Sequence, residues 1–280
     1  MEYLTLNNGV KMPLVGFGSY KISDPKECQI SLETALDAGY RLIDTAQFYG
    51  NEAELGEVLS QSRVPREELF LTTKVWFRSY SEGVCRESVL RSMEKLKTDY
   101  LDLVLLHWPF GDTYAAWRDL EKLYEEKKIR AIGISNFDPD RMIDFIHFQK
   151  ICPAVNQIET HLFCQRQEEH KWMEKYHVAH QAYTPLGRGK TAEIFGTEAV
   201  RQAAEHHGKT PAQITLRFLV QRGISVIPKS AHPDRIRANI DLFDFALTPE
   251  EMAALEQLDT KEPMIGRAWD PDKVETAMTW

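Results

Sequence analysis

Leu101-Asp102-Leu103-Val104-Leu105-Leu106-His107 is the most apolar run in the chain. It ends on a polar residue and is followed by an amphipathic stretch, Tyr114–Lys127. A short apolar run bounded in this way reads as a β-strand leading into a helix. The same unit recurs on both sides. Upstream, the strand patterns Leu14–Phe17, Arg41–Thr45 and Leu69–Lys74 alternate with helical patterns at Glu27–Ala38, Glu52–Ser62 and Gly83–Lys97. Downstream, Ala131–Ser135, Ala154–Ile158, Val178–Tyr183 and Ser225–Pro228 alternate with Pro139–Phe148, Glu168–Lys175, Pro211–Gln221 and Asp234–Leu242. Eight such units are the count for a closed (β/α)8 TIM barrel. A doubly wound sheet would need a topological break. No Pro/Gly/Ser-rich linker supplies one, so residues 1–280 are expected to form one α/β domain.

The ends of the chain carry their own signals. Asn7-Asn8-Gly9, between Leu4-Thr5-Leu6 and Val10-Lys11-Met12, supplies the positive φ angles of a tight hairpin. Asp24-Pro25, Asp138-Pro139 and Thr210-Pro211 each put a capping oxygen before a proline in the first helical turn. Thr248-Pro249-Glu250-Glu251 caps an extra C-terminal helix, Glu251–Leu258, after which the tail reads as irregular. Its Trp269 favours a docked segment.

A chain of 280 residues buries roughly three-quarters of its unfolded surface and needs no staples to hold a core. The net charge of −8 excludes a general nucleic-acid or anionic-membrane binder, though not a local basic pocket. Cys28, Cys85, Cys152 and Cys164 are scattered without a CxxC, as expected for the reduced thiols of a cytoplasmic protein. The N-terminus lacks a secretory pattern, and no apolar run is long enough to span a bilayer. Nothing in the sequence demands more than a monomer.

The active site of a (β/α)8 enzyme lies at the carboxyl ends of the strands. Asp44 ends the second strand and Tyr49 follows in its loop; Lys74 ends the third; His107 ends the fourth. Singly, each has a structural reading: a cap, a loop aromatic, a rim lysine, a core histidine. Jointly they make chemical sense. Tyrosine is a weak acid, and an adjacent buried ammonium stabilises its phenolate. Asp44 supplies the counter-charge that a buried lysine requires. An imidazole across the pocket can orient a carbonyl oxygen.

Other patterns carry less. Gly16-Phe17-Gly18 begins a GxGxxG loop, but Lys21 holds the third glycine position. Tyr124 and Lys128 match a YxxxK spacing but lie at a heavily charged helix end. His177/His180 and His206-His207 have no third ligand at a recognisable spacing and read as structural or solvated, so no metal is expected.

Taken in order, these motifs resemble the aldo-keto reductase superfamily over nearly the whole chain, in particular its short-looped, prokaryotic-type members of the diketogulonate and methylglyoxal reductase kind. They are Gly39–Ala46 with Tyr49-Gly50-Asn51-Glu52, Thr73–Trp76, Leu105–Pro109, Ile132–Phe137, Asn156–Glu159 and Ile227–Ser230. The resemblance implies a barrel plugged at its bottom by the hairpin, and it puts Asp44, Tyr49, Lys74 and His107 in the catalytic positions. It implies NADPH as cofactor. Gly18, Ser19 and Asp44 would lie against it, and Ser135, Asn136 and Gln157 would bond the nicotinamide carboxamide. Tyr183 would stack under the ring, and Thr184, Leu186 and Gly187 would contact the pyrophosphate. Lys229, Ser230 and Arg235 match the positions that hold the 2′-phosphate, and Asn239 the adenine edge, where Ala238 replaces the usual glutamate. Tyr20, Trp76, His107, Trp108 and Trp269 are the expected substrate walls. The implied reaction is reduction of small aldehydes and ketones to alcohols. Two alternatives are an NADPH-binding regulatory or structural barrel and a metal-dependent barrel hydrolase.

Overall fold

The computed structural model describes residues 2–280. Strands β1 (Tyr3–Thr5) and β2 (Lys11–Pro13) form the expected antiparallel hairpin. Eight parallel strands follow: β3 (Gly16–Gly18), β4 (Leu42–Asp44), β5 (Phe70–Val75), β6 (Leu101–Leu106), β7 (Ile129–Ser135), β8 (Val155–Glu159), β9 (Ala179–Tyr183) and β10 (Ser225–Val226). Neighbours in sequence are neighbours in the sheet from β3 to β10. A parallel bridge between Val15 and Val226 completes the ring, reinforced by the Val226 amide donating to Leu14 O at 2.8 Å. The fold is the expected (β/α)8 barrel. Leu14 lies outside β3 because its amide instead donates to Glu2 O, at 2.9 Å.

Helices α1 (Pro25–Asp37), α2 (Glu52–Ser60), α3 (Val84–Lys95), α4 (Thr113–Glu125), α5 (Pro139–Phe148) and α6 (Gln167–Lys175) cover the outer face. After β9 come α7 (Thr191–Gly196), α8 (Glu198–His207) and α9 (Pro211–Gln221), and after β10 come α10 (Pro233–Ile240), α11 (Pro249–Glu256) and α12 (Pro271–Ala277). Asp24 and Thr210 cap as expected, and Thr248 forms a complete capping box with Glu251. Asp138 does not: it makes no capping bond. Its carboxyl is half-buried, which raises its pKa, and it faces the charges of Arg166 and Arg267. The tail is also more ordered than its composition implies. Asp270 accepts a bond from the Asp272 amide and starts α12.

Side chains alternate across each strand, so the barrel has two apolar layers. Leu42, Phe70, Leu103, Leu105, Ala131 and Val155 point inward and pack on Leu6 and Met12 of the hairpin, which plugs the bottom. Ile43, Leu71, Val104, Leu106, Ile132 and Ile134 belong to the larger layer beneath the helices. The plug is tied down by polar contacts as well: Asn7 Nδ2 donates to Pro153 O and Asn8 Nδ2 to Arg130 O, each at 2.9 Å. Inside the barrel, Gly133 has no room for a side chain, since a Cβ there would lie 2.6 Å from Val155 O. Continued upward, the inward phase that carries Leu42, Phe70, Leu105 and Val155 reaches Asp44, Lys74, His107 and Gln157. The polar layer at the mouth is thus the top of the core's own alternation.

Candidate active site

Asp44 and Lys74 meet at the top of neighbouring strands. Lys74 Nζ lies 2.5 Å from Asp44 Oδ1 and also donates to Thr45 O at 2.9 Å and to the Tyr49 hydroxyl at 3.3 Å. Asp44 Oδ2 accepts a 2.7 Å bond from Gln157 Nε2 across the barrel. Both charged side chains are fully buried. Burial draws the Lys74 ammonium below its ordinary pKa and pushes the Asp44 carboxyl up, and each shift is opposed by the partner's charge. A buried pair of this kind holds together because removing either charge strands the other.

Tyr49 sits in a single 3-10 turn, Gln47–Tyr49, closed by Gly50 at a left-handed φ of 68° that favours glycine. Asn51, fully buried, fixes that turn. Its Nδ2 donates to Ser19 O at 2.9 Å and to Ile22 O at 2.8 Å, and its Oδ1 accepts from Thr45 Oγ1 at 2.8 Å. Burial, and next the Asp44 charge, hold the Tyr49 phenol well above its ordinary 10.0. At rest the phenol is therefore protonated, with the Lys74 ammonium 3.3 Å from its oxygen. A phenol held protonated is what a proton donor requires, and the lysine's stabilisation applies to the phenolate as it forms.

His107 closes the group, its ring 5.8 Å from that of Tyr49 and 5.3 Å from Trp76, edge-on to both. Burial and the Lys74 charge push it well below the ordinary imidazole value, so it is neutral at neutral pH. Its Nδ1 is buried with no hydrogen-bond partner among the described residues. The aromatic packing, rather than a hydrogen bond at Nδ1, holds the ring.

Asp44, Tyr49 and His107 line a cavity of about 1530 Å³, with Lys74 buried behind them. That exceeds the usual 300–1,000 Å³ of a site for one small molecule and has room for a cofactor and a substrate together. Gly18, Tyr20, Trp76, Trp108, Ser135, Asn136, Gln157, Tyr183, Thr184 and Leu186 line it, as do Lys229, Ser230, Arg235 and Asn239 from the segment after β10 and from α10. Ser135 Oγ donates to Gln157 O at 2.7 Å. The Tyr183 hydroxyl donates to Asn136 Oδ1 at 2.6 Å, while Asn136 Nδ2 donates to His107 O at 2.9 Å. Asn136, at φ 63°, thereby links Tyr183 to the backbone of His107.

Three expected positions fall elsewhere. Ser19 lies below the cavity wall, fully buried, its backbone engaged by Asp44 O and Asn51. Gly187 is also off the lining; it turns the chain at φ 66°, where a Cβ would meet Ile194 Cδ1 at 2.2 Å. Trp269 is 65% exposed and does not line the cavity. Trp280 takes the place expected for it, 6.0 Å from Trp76 and 5.7 Å from Trp108. Phe48, stacked on Trp76 at 4.2 Å, adds a wall that sequence reasoning missed. Its place before Tyr49 was the available signal.

The remaining motifs resolve structurally. Gly16 is a barrel-packing residue, since a Cβ there would lie 2.2 Å from Leu42 Cδ2. His180 is buried between Thr160 and His170, away from His177. His206 and His207 do meet a third group: Nδ1 of His206 and Nε2 of His207 bond the two oxygens of Glu251 at 2.7 and 2.8 Å. That contact spans 45 and 44 positions of sequence, so no local spacing could reveal it. It joins α8 to α11.

Residues 14–260 match the Aldo/keto reductase family. The chain is 41% identical over 273 residues to the 9,11-endoperoxide prostaglandin H2 reductase of Trypanosoma cruzi, covering 96% of this chain and 94% of that one. It is 40% identical over 262 residues to the glyoxal reductase of Bacillus subtilis, covering 93% and 94%. MGS-M4, an aldo-keto reductase from a Medee basin deep-sea metagenome library, superposes with a TM-score of 0.93 at 37% identity, covering 96% of this chain and 99% of that one. The chain belongs to the aldo/keto reductase family. It is an oxidoreductase that reduces carbonyl groups.

Proposed function

We propose that the protein reduces small aldehydes and ketones with NADPH, using Tyr49 as proton donor. The observation that carries this reading is the continuous chain Gln157–Asp44–Lys74–Tyr49, buried beside a neutral His107. The residues present fit the cofactor. Lys229 and Arg235 form no salt bridge among the described residues and line the cavity together with Ser230, which suits a phosphate dianion. Thr184, another lining residue, has its Oγ1 buried and without a partner among the described residues. Ser135, Asn136 and Gln157 would hold the carboxamide, Tyr183 the ring face and Thr184 and Leu186 the pyrophosphate, with Gly18 and Asp44 alongside.

When bound, NADPH supplies the hydride that reduces the carbonyl carbon. The protein's own part is the proton and the geometry. His107 donates a hydrogen bond to the substrate oxygen and orients it toward Tyr49. The Tyr49 Oη–H bond breaks as the O–H bond of the alcohol forms. Lys74 donates to the phenolate oxygen left behind, and Asp44 keeps that ammonium charged. Tyr20, Trp76, Trp108 and Trp280 exclude water, which strengthens each of these electrostatic terms. One chain contains the whole site, which supports action as a monomeric single domain. The four free cysteines support a cytoplasmic setting.

Tyr49→Phe tests the assignment. NADPH oxidation followed at 340 nm with methylglyoxal and benzaldehyde should fall by at least about a thousandfold in turnover, given the weight of proton transfer in the step. The Kd for NADPH should stay within about threefold. A variant that kept most of its turnover would remove Tyr49 from the mechanism.

A further inference from the structure

The C-terminal segment brings a cation to the substrate side of the cavity that the mechanism above does not use. Arg78 anchors the segment, donating to Trp280 O at 2.7 Å and to Met278 O at 2.8 Å. The Trp280 ring is thereby set beside Trp76 and Trp108. Lys273, in the first turn of α12, projects over two of these rings, Trp280 and Trp108. Its Nζ is 4.3 Å from the Trp280 centroid and 5.0 Å from that of Trp108. Its stem packs on Gly266, where a Cβ would lie 3.4 Å from Lys273 Cδ.

Lys273 forms no salt bridge and donates no hydrogen bond among the described residues, yet it lines the cavity. The other cations there have recognisable roles or positions. Lys229 and Arg235 are assigned to the cofactor phosphate, and Lys21 and Arg188 flank the Tyr20 ring at 5.9 and 5.3 Å; Lys74, behind the lining, is paired with Asp44. The acid that acts on Lys273 is Glu159, whose two carboxylate oxygens are engaged by His161 and by the Met264 and Ile265 amides. Burial draws the Lys273 ammonium below the ordinary lysine range. An ammonium held against two indoles with no carboxylate partner has cation–π contact but lacks a counter-charge.

We propose that Lys273 selects carbonyl substrates that carry a carboxylate, binding that carboxylate over the Trp108 and Trp280 rings while the carbonyl lies at Tyr49 and His107. The proposal rests on the preceding reading of Tyr49 and His107. The layout also bears on the shape of the substrate. Indoles stand between the two ends, Trp280 lying 6.0 Å from Trp76 and Trp76 5.3 Å from His107. The carboxylate therefore belongs at the far end of the molecule from the carbonyl. Apolar atoms between them would lie against the aromatic walls.

The test compares 4-carboxybenzaldehyde with its methyl ester, which has the same shape at the carbonyl and no charge. Both are assayed at saturating NADPH in the wild type and in Lys273→Met, which keeps an unbranched stem over Gly266. A charge-assisted hydrogen bond of ordinary strength corresponds to about tenfold or more in affinity. The acid-to-ester ratio of kcat/KM should therefore fall about tenfold in the variant, through KM for the acid. Added salt should lower the same ratio in the wild type and not in the variant. Equal losses for acid and ester would make Lys273 a packing residue, and an unchanged ratio would overturn the proposal. If the wild type reduces neither aldehyde, the Tyr49 reading fails separately. Quenching of tryptophan fluorescence by 4-(hydroxymethyl)benzoate then decides Lys273, whose loss should weaken that binding about tenfold.

Discussion

Replacing Asp44 by asparagine should destabilise the protein in a way that depends on pH. In D44N, the buried Lys74 ammonium would lose its counter-charge and keep only neutral acceptors: the new carboxamide oxygen, Thr45 O at 2.9 Å and the Tyr49 hydroxyl at 3.3 Å. Breaking a buried pair by removing one charge costs about 3–5 kcal/mol. With an unfolding entropy of about 2.1 cal/mol/K per residue over 280 residues, Tm should fall by about 5–9 °C. The ammonium's alternative is to lose its proton. Burial already draws Lys74 below 10.5, and without Asp44 nothing opposes that shift. The folded variant then binds fewer protons than the unfolded chain at every pH between the depressed value and 10.5. Its stability must rise with pH across that window, by at most about 1.4 kcal/mol per pH unit. Urea unfolding of wild type and D44N at several pH values from neutrality upward reads both effects, and D44N should show the steeper slope. The double variant D44N/K74M should recover part of the lost stability, because it leaves no charge stranded. A D44N protein with wild-type Tm and wild-type slope would refute the account of the buried pair.

Two further outcomes test other parts of the structure. Lys229→Met with Arg235→Leu should raise the Kd for NADPH by about 10–100-fold, as expected for losing one or two charge-assisted bonds, while leaving that for NADH nearly unchanged; fluorescence titration with both cofactors measures the ratio. Gly56→Ala in α2 should destabilise by at least about 2 kcal/mol, although helix propensity alone favours alanine by about 1 kcal/mol. The new Cβ would lie 2.0 Å from Lys95 O and 2.8 Å from Leu96 Cα, so α2 and α3 must separate, which thermal unfolding would register.

Much of the site is legible in the chain because a barrel converts a short-range pattern into a long-range arrangement. Period-two alternation carries Asp44, Lys74, His107 and Gln157 on the inward phase, and parallel strands bring their ends to one rim. Those four can be placed together without knowing any loop. Ser135, at the end of β7, follows by the same logic; Lys229 and Ser230, beyond the end of β10, are reached only through the family resemblance. The eight strand patterns all lie within a few residues of the observed strands.

What the sequence by itself determined is the inward polar layer of strand ends and the motif order that accompanies it. Tertiary structure decided everything set by side-chain direction in irregular segments, where no period exists to read. The tail contains Trp269 and Trp280, and only the Arg78 contact about 200 positions away selects Trp280 as the wall. Asn51 reads as a helix-flanking residue, yet its three bonds to Ser19, Ile22 and Thr45 hold the Tyr49 turn. Glu159 lies on a strand end like the others but points its carboxylate at the Met264 and Ile265 amides, docking the tail instead of serving the chemistry. Even the phenol's resting pKa belongs to this second group: residue types imply a lysine beside a tyrosine, but only the tertiary structure shows the depth of burial and the nearby Asp44 charge that raise it.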